Sequence, residues 1–486
     1  MNWPRSIPDY RFDSVSQKSR GVPAPKPRAE DGPALRALRN NCCPNSPSPC
    51  TQGEGRGGGP SSAFPGQSAV EGSVQNSLFN KSPLPTPPPE YKGRETLQAT
   101  LSQSLRFARS AIFNIAFVSG LIASIFRKYK RRILILRTDG LGDGVLSEPF
   151  IRAIAKRYRD AEIHLWAPAA TCELFASAKY VQVCQIIPRG FKAGCLEYFH
   201  TTSWRWKLGF LFGSQRYEIA IYPAISAEPL GNWIFRSVRA QKRWAVEGDL
   251  FHQFPRQRYA ALKRATRILA RPKEIHELER NADLARQCGA SDVNTLPQIS
   301  LDAAANENSA RLLSSWRELA ESRGASGLLG VVSSASMAKF SWPAENWRTA
   351  LQQIWREHRL MPVLLSQNAI CDPAIPHAVL NESIDVRTLS AILGQIDMVL
   401  SLDTGPAHIS AAMRTPTVVL SNDGHPGRFF PWPDALWVKS LVHSMPCAGC
   451  VCKCPLAEAE CLTRIKVADV LIAVGELRKS SFAEAA

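Results

Sequence analysis

The chain has 486 residues, which at roughly 150 residues per domain allows about three units and excludes a single small module. Apolar residues at 45% and charged residues at 21% exclude a wholly disordered protein. Lys plus Arg at 59 against Asp plus Glu at 42 leave a formal charge of +17, an excess that favours phosphates, nucleic acid or anionic lipid without choosing among them.

Proline is uneven, with 16 of 35 in the first 90 residues. Residues 1–93 therefore read as a disordered tail, because Pro, Gly and Ser dominate and runs such as Pro87-Pro88-Pro89 cannot build a periodic apolar face. Pro4, Pro8 and Asp9 interrupt any signal-peptide pattern. Residues 94–130 form an apolar and basic helical segment. Its apolar part, Ala111 to Phe126, turns abruptly basic at Arg127, Lys128, Lys130, Arg131 and Arg132. Sixteen residues fall short of the ~20 needed to cross a bilayer, so three readings stand: an interfacial helix, a helix packed on the folded body, and a span. As a span, the basic cluster would keep the following chain in the cytoplasm; as an interfacial helix, it would meet anionic headgroups.

From residue 131 the pattern becomes alternating α/β. Ile133 to Leu136 is a short unbroken apolar run, as expected of a strand buried on both faces of a parallel sheet. A glycine-rich turn, a helical stretch over Val145–Tyr158 and a second strand at Ile163–Ala167 complete a βαβ unit. Further strands are expected at Ile219–Tyr222, Leu328–Val332, Pro362–Leu365, Met398–Leu402 and Thr417–Leu420, with helices at Asn306–Glu321, Asn346–Glu357 and Leu389–Ile396. The spacing predicts two doubly wound units, 131–300 and 301–478, which bind ligands in the loops at the C-terminal ends of their strands.

Three such loops carry chemistry. In Arg137-Thr138-Asp139-Gly140-Leu141-Gly142-Asp143-Gly144 the glycines do not follow the dinucleotide fingerprint, and no acidic residue closes the next strand. Gly140 and Gly142 let backbone approach a ligand while Asp143 presents a carboxylate or simply caps a helix. In Ser333 to Pro343, hydroxyl groups including Ser336 stand near Lys339, a set suited to oxyanions. In Ser401 to His408, Asp403 or Thr404 caps a helix begun by Gly405-Pro406, whose free N–H groups form an anion site; His408 faces that anion or is an ordinary partly buried histidine.

The succession ILILRTDGLGDGVLSEPFIRAI, KFSWPAENW, LSLDTGPAHISAAMRTPTVVL and a cysteine-rich close resembles glycosyltransferase family 9, the ADP-heptose:lipopolysaccharide heptosyltransferases, over about residues 130–475. The resemblance implies an α/β GT-B fold: two Rossmann-like domains facing a cleft, an N-terminal one for the acceptor and a C-terminal one for the nucleotide-sugar. It implies an inverting transfer of heptose from ADP-heptose to lipopolysaccharide core or a related cell-surface glycan, with no cofactor and no metal requirement. Asp143 matches the family's proposed base, Lys339 its phosphate-side lysine, and Asp403, Thr404, Gly405, Pro406 and His408 its diphosphate cradle. Gly144 departs from the aliphatic residue usual there. Two alternatives stay open: a transferase using another nucleotide-sugar, and a non-catalytic sugar-nucleotide or glycan-binding homologue. The expected location is cytoplasmic, at the cytoplasmic face of the inner membrane with peripheral contact to anionic lipid; nothing in the sequence supports a nucleic-acid partner.

Five cysteines crowd the close. Cys447, Cys450, Cys454 and Cys461 supply four thiolates for a structural metal or are reduced thiols of the family's C-terminal segment; the spacing is not a clean pair of CxxC motifs, and the second reading is preferred.

Overall fold

The computed structural model describes residues 110–126, 130–187, 202–226, 228–248, 255–273, 276–335, 339–365, 370–451 and 453–485. The tail expected over residues 1–93, the basic residues Arg127 and Lys128, and Ser336 lie outside the described residues. The chain divides into two units, residues 1–83 and 84–486, and all described residues belong to the second.

Two six-stranded sheets organise that unit. The first contains β1 (Arg132–Leu136), β2 (Glu162–Ala167), β3 (Val183–Ile186), β4 (Arg216–Tyr222), β5 (Arg239–Val246) and β6 (Arg267–Leu269), in the order β3-β2-β1-β4-β5-β6. The second contains β7 (Gly327–Val332), β8 (Leu360–Leu364), β9 (Ala378–Val379), β10 (Met398–Leu402), β11 (Thr417–Leu420) and β12 (Val438–Leu441), in the order β12-β11-β10-β7-β8-β9. Every strand pair is parallel. Counted from its own first strand, each sheet has the doubly wound order 3-2-1-4-5-6, and its switch point lies between β1 and β4 or between β7 and β10. The inner strands are apolar on both faces because helices cover both: Ile133 to Leu136 and Met398 to Leu402 are all buried.

The helices extend the sequence expectations. A helix begins at Leu141, four residues before the expected start, and breaks at Ser147 before resuming over Glu148–Arg157. The expected helices near Asn306, Asn346 and Leu389 are Ala303–Ser322, Ala344–His358 and Val386–Leu393. Asp302 and Asp385 cap two of them, accepting from the backbone N–H of Ala305 and Thr388 at 2.8 Å each. One apolar core runs from the first sheet, through the helices between the sheets, to one face of the second, and a separate core fills that sheet's other face.

The apolar segment near residue 111 is a helix over residues 110–125. One face packs on the helix Thr202–Ser214, as the packed-helix reading expected, and the opposite face is exposed. No helix among the described residues is long and apolar enough to cross a membrane.

Candidate active site

Both switch points place a glycine-bearing loop at the start of a helix, and the two starts meet. The helix Leu141–Leu146 follows β1, and the helix Gly405–Ala412 follows β10. A Cβ on Gly142 would lie 2.8 Å from His408 Cδ2, and one on Gly405 would lie 2.9 Å from Leu141 Cδ2. Glycine is therefore required on each side for the other side's approach. Gly144, the departure from the family pattern, has a local cause: a Cβ there would lie 2.8 Å from Thr171 Oγ1.

Asp143 stands in the first turn of its helix but is not its cap. Gly140 holds the cap position with no side-chain bond, and no hydrogen bond to the Asp143 carboxylate occurs among the described residues. The carboxylate is half-buried beside the fully buried Arg137, whose guanidinium grips Asp139 at 2.6 and 3.1 Å. Among the described residues Arg137 Nη1 has no hydrogen-bond partner. Burial opposes the charge on Arg137, but Asp139, Asp143 and Glu277 outweigh it and raise its pKa. Burial pushes the Asp139 carboxyl up to about 6, with Arg137 opposing and Asp143 and Glu277 adding repulsion.

The helix Glu277–Gln287 connects this loop to the second half. Its Glu277 is buried, yet its carboxyl stays below the ordinary range: burial raises it, while Arg428, bonded at 2.9 Å, and Arg137 lower it more. Asn281 donates to the Leu146 carbonyl at 2.9 Å. His276 caps the helix, its Nδ1 accepting from the Leu278 N–H at 3.2 Å and its Nε2 facing the Phe429 carbonyl at 3.2 Å; burial depresses its pKa to about 4.

On the second side, Thr404 is the N-cap of Gly405–Ala412, with Pro406 in the first turn. The Thr404 hydroxyl turns back to the Leu402 carbonyl at 3.2 Å; because Pro406 lacks an N–H and the Ala407 N–H donates to the Thr404 carbonyl at 3.1 Å, the Gly405 amide is the first-turn donor that remains for a ligand among the described residues. His408 is buried under an aromatic wall. Its ring stacks on Phe430 at 4.4 Å and Trp432 at 6.0 Å, and its Nδ1 accepts from Trp432 Nε1–H at 3.2 Å. A neutral ring therefore carries its proton on Nε2, which lies 3.6 Å from Asp403 Oδ1.

Gly142 and Leu141 thus lie against His408 and Gly405, which brings the helix start that bears Asp143 to the helix start that follows Asp403 and Thr404. Lys339 is elsewhere engaged: its ammonium donates to the carbonyls of Cys454, at 3.1 Å, and Leu456. No hydrogen bond or ion pair joins it to residues 403–408 among the described residues. Sequence reading passed over Arg137, Asp139, Glu277, Arg428 and the aromatic pair Phe430 and Trp432; only the dense run Phe429-Phe430-Pro431-Trp432 offered a signal.

Cys447, Cys450 and Cys454 are half-buried and Cys461 is buried, all as free thiols. Burial raises the Cys461 pKa against a lowering hydrogen bond at the Asp423 backbone, and the charges of Cys454, Asp423 and Cys450 add to the rise. Among the described residues no group of three or more His, Cys, Asp or Glu is arranged to hold a metal ion.

The fold and its paired loops define a GT-B architecture, and comparison with known proteins agrees. Residues 233–457 match the family "Glycosyltransferase family 9 (heptosyltransferase)". A glycosyltransferase family 9 structure from Veillonella parvula superposes with a TM-score of 0.54 at 15% identity, covering 72% of this chain and 98% of that one. Escherichia coli heptosyltransferase WaaC with ADP gives 0.51 at 14%, covering 71% and 99%. Escherichia coli ADP-heptose lps heptosyltransferase II gives 0.51 at 17%, covering 72% and 99%. No curated protein matches the chain. Over residues 233–457 the chain is similar to the heptosyltransferases of glycosyltransferase family 9, and its fold is that of the solved structures of that family.

Proposed function

We propose that this protein is an inverting glycosyltransferase that moves heptose from ADP-heptose to lipopolysaccharide core or a related cell-surface glycan. The observation that carries the reading is the apposition of two helix starts: one bears an uncapped carboxylate at Asp143, the other an anion cradle at Asp403 to His408. Inversion requires that arrangement, because the acceptor hydroxyl attacks one face of the anomeric carbon while diphosphate departs from the other. Asp143 takes the hydroxyl proton as the new C–O bond forms. As the bond from sugar to diphosphate breaks, the charge gathering on the phosphate meets the amides of Thr404 and Gly405 and the Nε2–H of His408.

Arg137 holds the Asp143 loop in register through Asp139. Ser336 and Lys339 complete the phosphate side; Lys339 reaches the donor by exchanging the Cys454 and Leu456 carbonyls for phosphate oxygens. No metal takes part in this reading. The acceptor approaches over Gly140 and Gly142, and the enzyme works at the cytoplasmic face of the inner membrane, in contact with anionic lipid.

The test is Asp143→Asn. Loss of a general base is expected to lower kcat by about 10²–10⁴-fold, while ADP affinity measured by calorimetry stays within about twofold. Normal turnover in the variant overturns the base assignment, and UDP binding in preference to ADP overturns the donor.

A further inference from the structure

The helix over residues 110–125 carries its apolar residues on the wrong side for a soluble protein. Ile115, Val118, Leu121, Ile122, Ile125 and Phe126 are exposed, the last two by 73% and 85%. Their spacing of three and four places them along one stripe of about 16–18 Å. Scattered apolar residues are ordinary on a surface, but a continuous aliphatic stripe marks a contact.

The opposite stripe shows how firmly this helix is held. Gly120 abuts the backbone of Phe210 and Ser214, Gly209 that of Phe113, and Gly213 that of Phe117 and Leu121, so any Cβ at these glycines would clash with backbone atoms. The pairing of 113 with 209 and 117 with 213 makes the two helices parallel. Small residues permit the close approach, and Ala116 is fully buried within it. Phe113 packs edge-on to Phe212 and Trp233 at 5.8 Å each, while Arg239 of β5 donates to Ser124 Oγ and to the Gly213 carbonyl. The small residues are therefore consumed inside the molecule, and what faces outward from residue 115 on is branched aliphatic, ending in Phe126.

Charge decides the occupant. The stripe runs directly into Arg127-Lys128-Tyr129-Lys130-Arg131-Arg132, five cations in six residues. Lys130 and Arg131 keep side-chain exposures of 59% and 38%, and their partners Glu162, Asp160 and Glu218 are at or near the surface, where such pairs are weak. Trp206 is exposed on the partner helix, one turn before Gly209, and exposed tryptophan is frequent at membrane interfaces. No described helix can cross a bilayer.

The geometry points to a monotopic docking face for an anionic bilayer: the aliphatic stripe of residues 115–126 enters the acyl boundary and the adjoining cations bind headgroup phosphates. This deepens the lipid contact within the function proposed above, and it does not depend on the donor. Because the helix is fastened to the first sheet, docking also fixes the orientation of the catalytic body on the membrane.

The test uses the full chain with vesicles of phosphatidylcholine alone or with one-third phosphatidylglycerol. Sedimentation with the anionic vesicles is expected, falling at least tenfold for Ile122→Asp combined with Ile125→Asp. For Arg127→Glu combined with Lys128→Glu, the preference for anionic vesicles disappears. Thermal midpoints near wild type keep the apolar variants interpretable, and Ile122→Trp supplies a second readout, a blue-shifted emission on vesicle addition. Failure to sediment, unchanged sedimentation of the aspartate variants, or a dimer that they convert to monomer overturns the docking face. Transfer to a short soluble acceptor, measured in the same variants, is expected to be unchanged, so a wrong reaction and a wrong membrane face give different results.

Discussion

The loops after β1 and β10 hold equivalent positions in two sheets of the same strand order, yet they are stabilised by opposite means. The first is ionic: buried Arg137 and Glu277 and partly buried Asp139 and Asp143 form a charge cluster in which the Asp139 carboxyl is pushed up to about 6. The second is aromatic: Phe430 and Trp432 fix the plane and tautomer of His408. Under the proposed transfer, the first arrangement sets the acceptor side among charges and the second holds the diphosphate side rigid before charge develops there.

The most disruptive way to test that contrast is to push the two sides apart. Gly142→Val places a side chain where His408 stands, 2.8 Å from the new Cβ, and the aromatic stack prevents the ring from yielding. Transfer is expected to fall by about 10²-fold, as for a misplacement of about 1 Å, with overpacking costing ~1–3 kcal/mol in urea denaturation. A fully active, fully stable variant would show that the two starts need not touch.

Acid sharpens the comparison next. His164, buried in the first sheet, and His276, the cap of the helix Glu277–Gln287, are both held neutral by burial, each with a pKa near 4. The unfolded chain protonates both below about 6.5, so stability is intact above that pH and falls as pH drops. Asp139 works in the opposite sense, because the folded state protonates it first. Two histidines outweigh one aspartate. The expected net loss is roughly 3 kcal/mol between pH 6.5 and 4.5 in urea titrations, and a flat or rising profile would contradict it.

The smallest effect concerns the aromatic side alone. Trp432→Phe keeps the stack but removes the N–H that donates to His408 Nδ1. One lost hydrogen bond of ~1 kcal/mol predicts a roughly fivefold weaker ADP Kd, with Asp143-dependent steps unaffected. A change in the pH dependence of kcat without a change in Kd would show that His408 acts on the base side instead.

Much of the scaffold was legible because inner parallel strands leave an unbroken apolar run, as in Ile133–Leu136 and Met398–Leu402. Strands away from the sheet centre were not: the edge strand Val183–Ile186 is half exposed, and Arg239–Val246, next to the edge strand β6, is charged along its first half. The helix Glu277–Gln287 reads as a polar surface segment, yet it buries Glu277 and Asn281. The glycine loops of the site were visible as local motifs. Their supports were not, because Glu277 meets Arg428 across 151 residues and Trp432 meets His408 across 24, and local sequence carries no sign of such pairings.

The parallel contact between residues 110–125 and 202–214 has a practical consequence for anyone shortening the chain. A version beginning at β1 would discard an apolar surface stripe. It would also open the groove over Gly209 and Gly213 and strip Phe113 from Phe212 and Trp233. Truncation there exchanges one sticky surface for another, so the helix over residues 110–125 belongs to the minimal folded unit even though its outer face looks like an appendage.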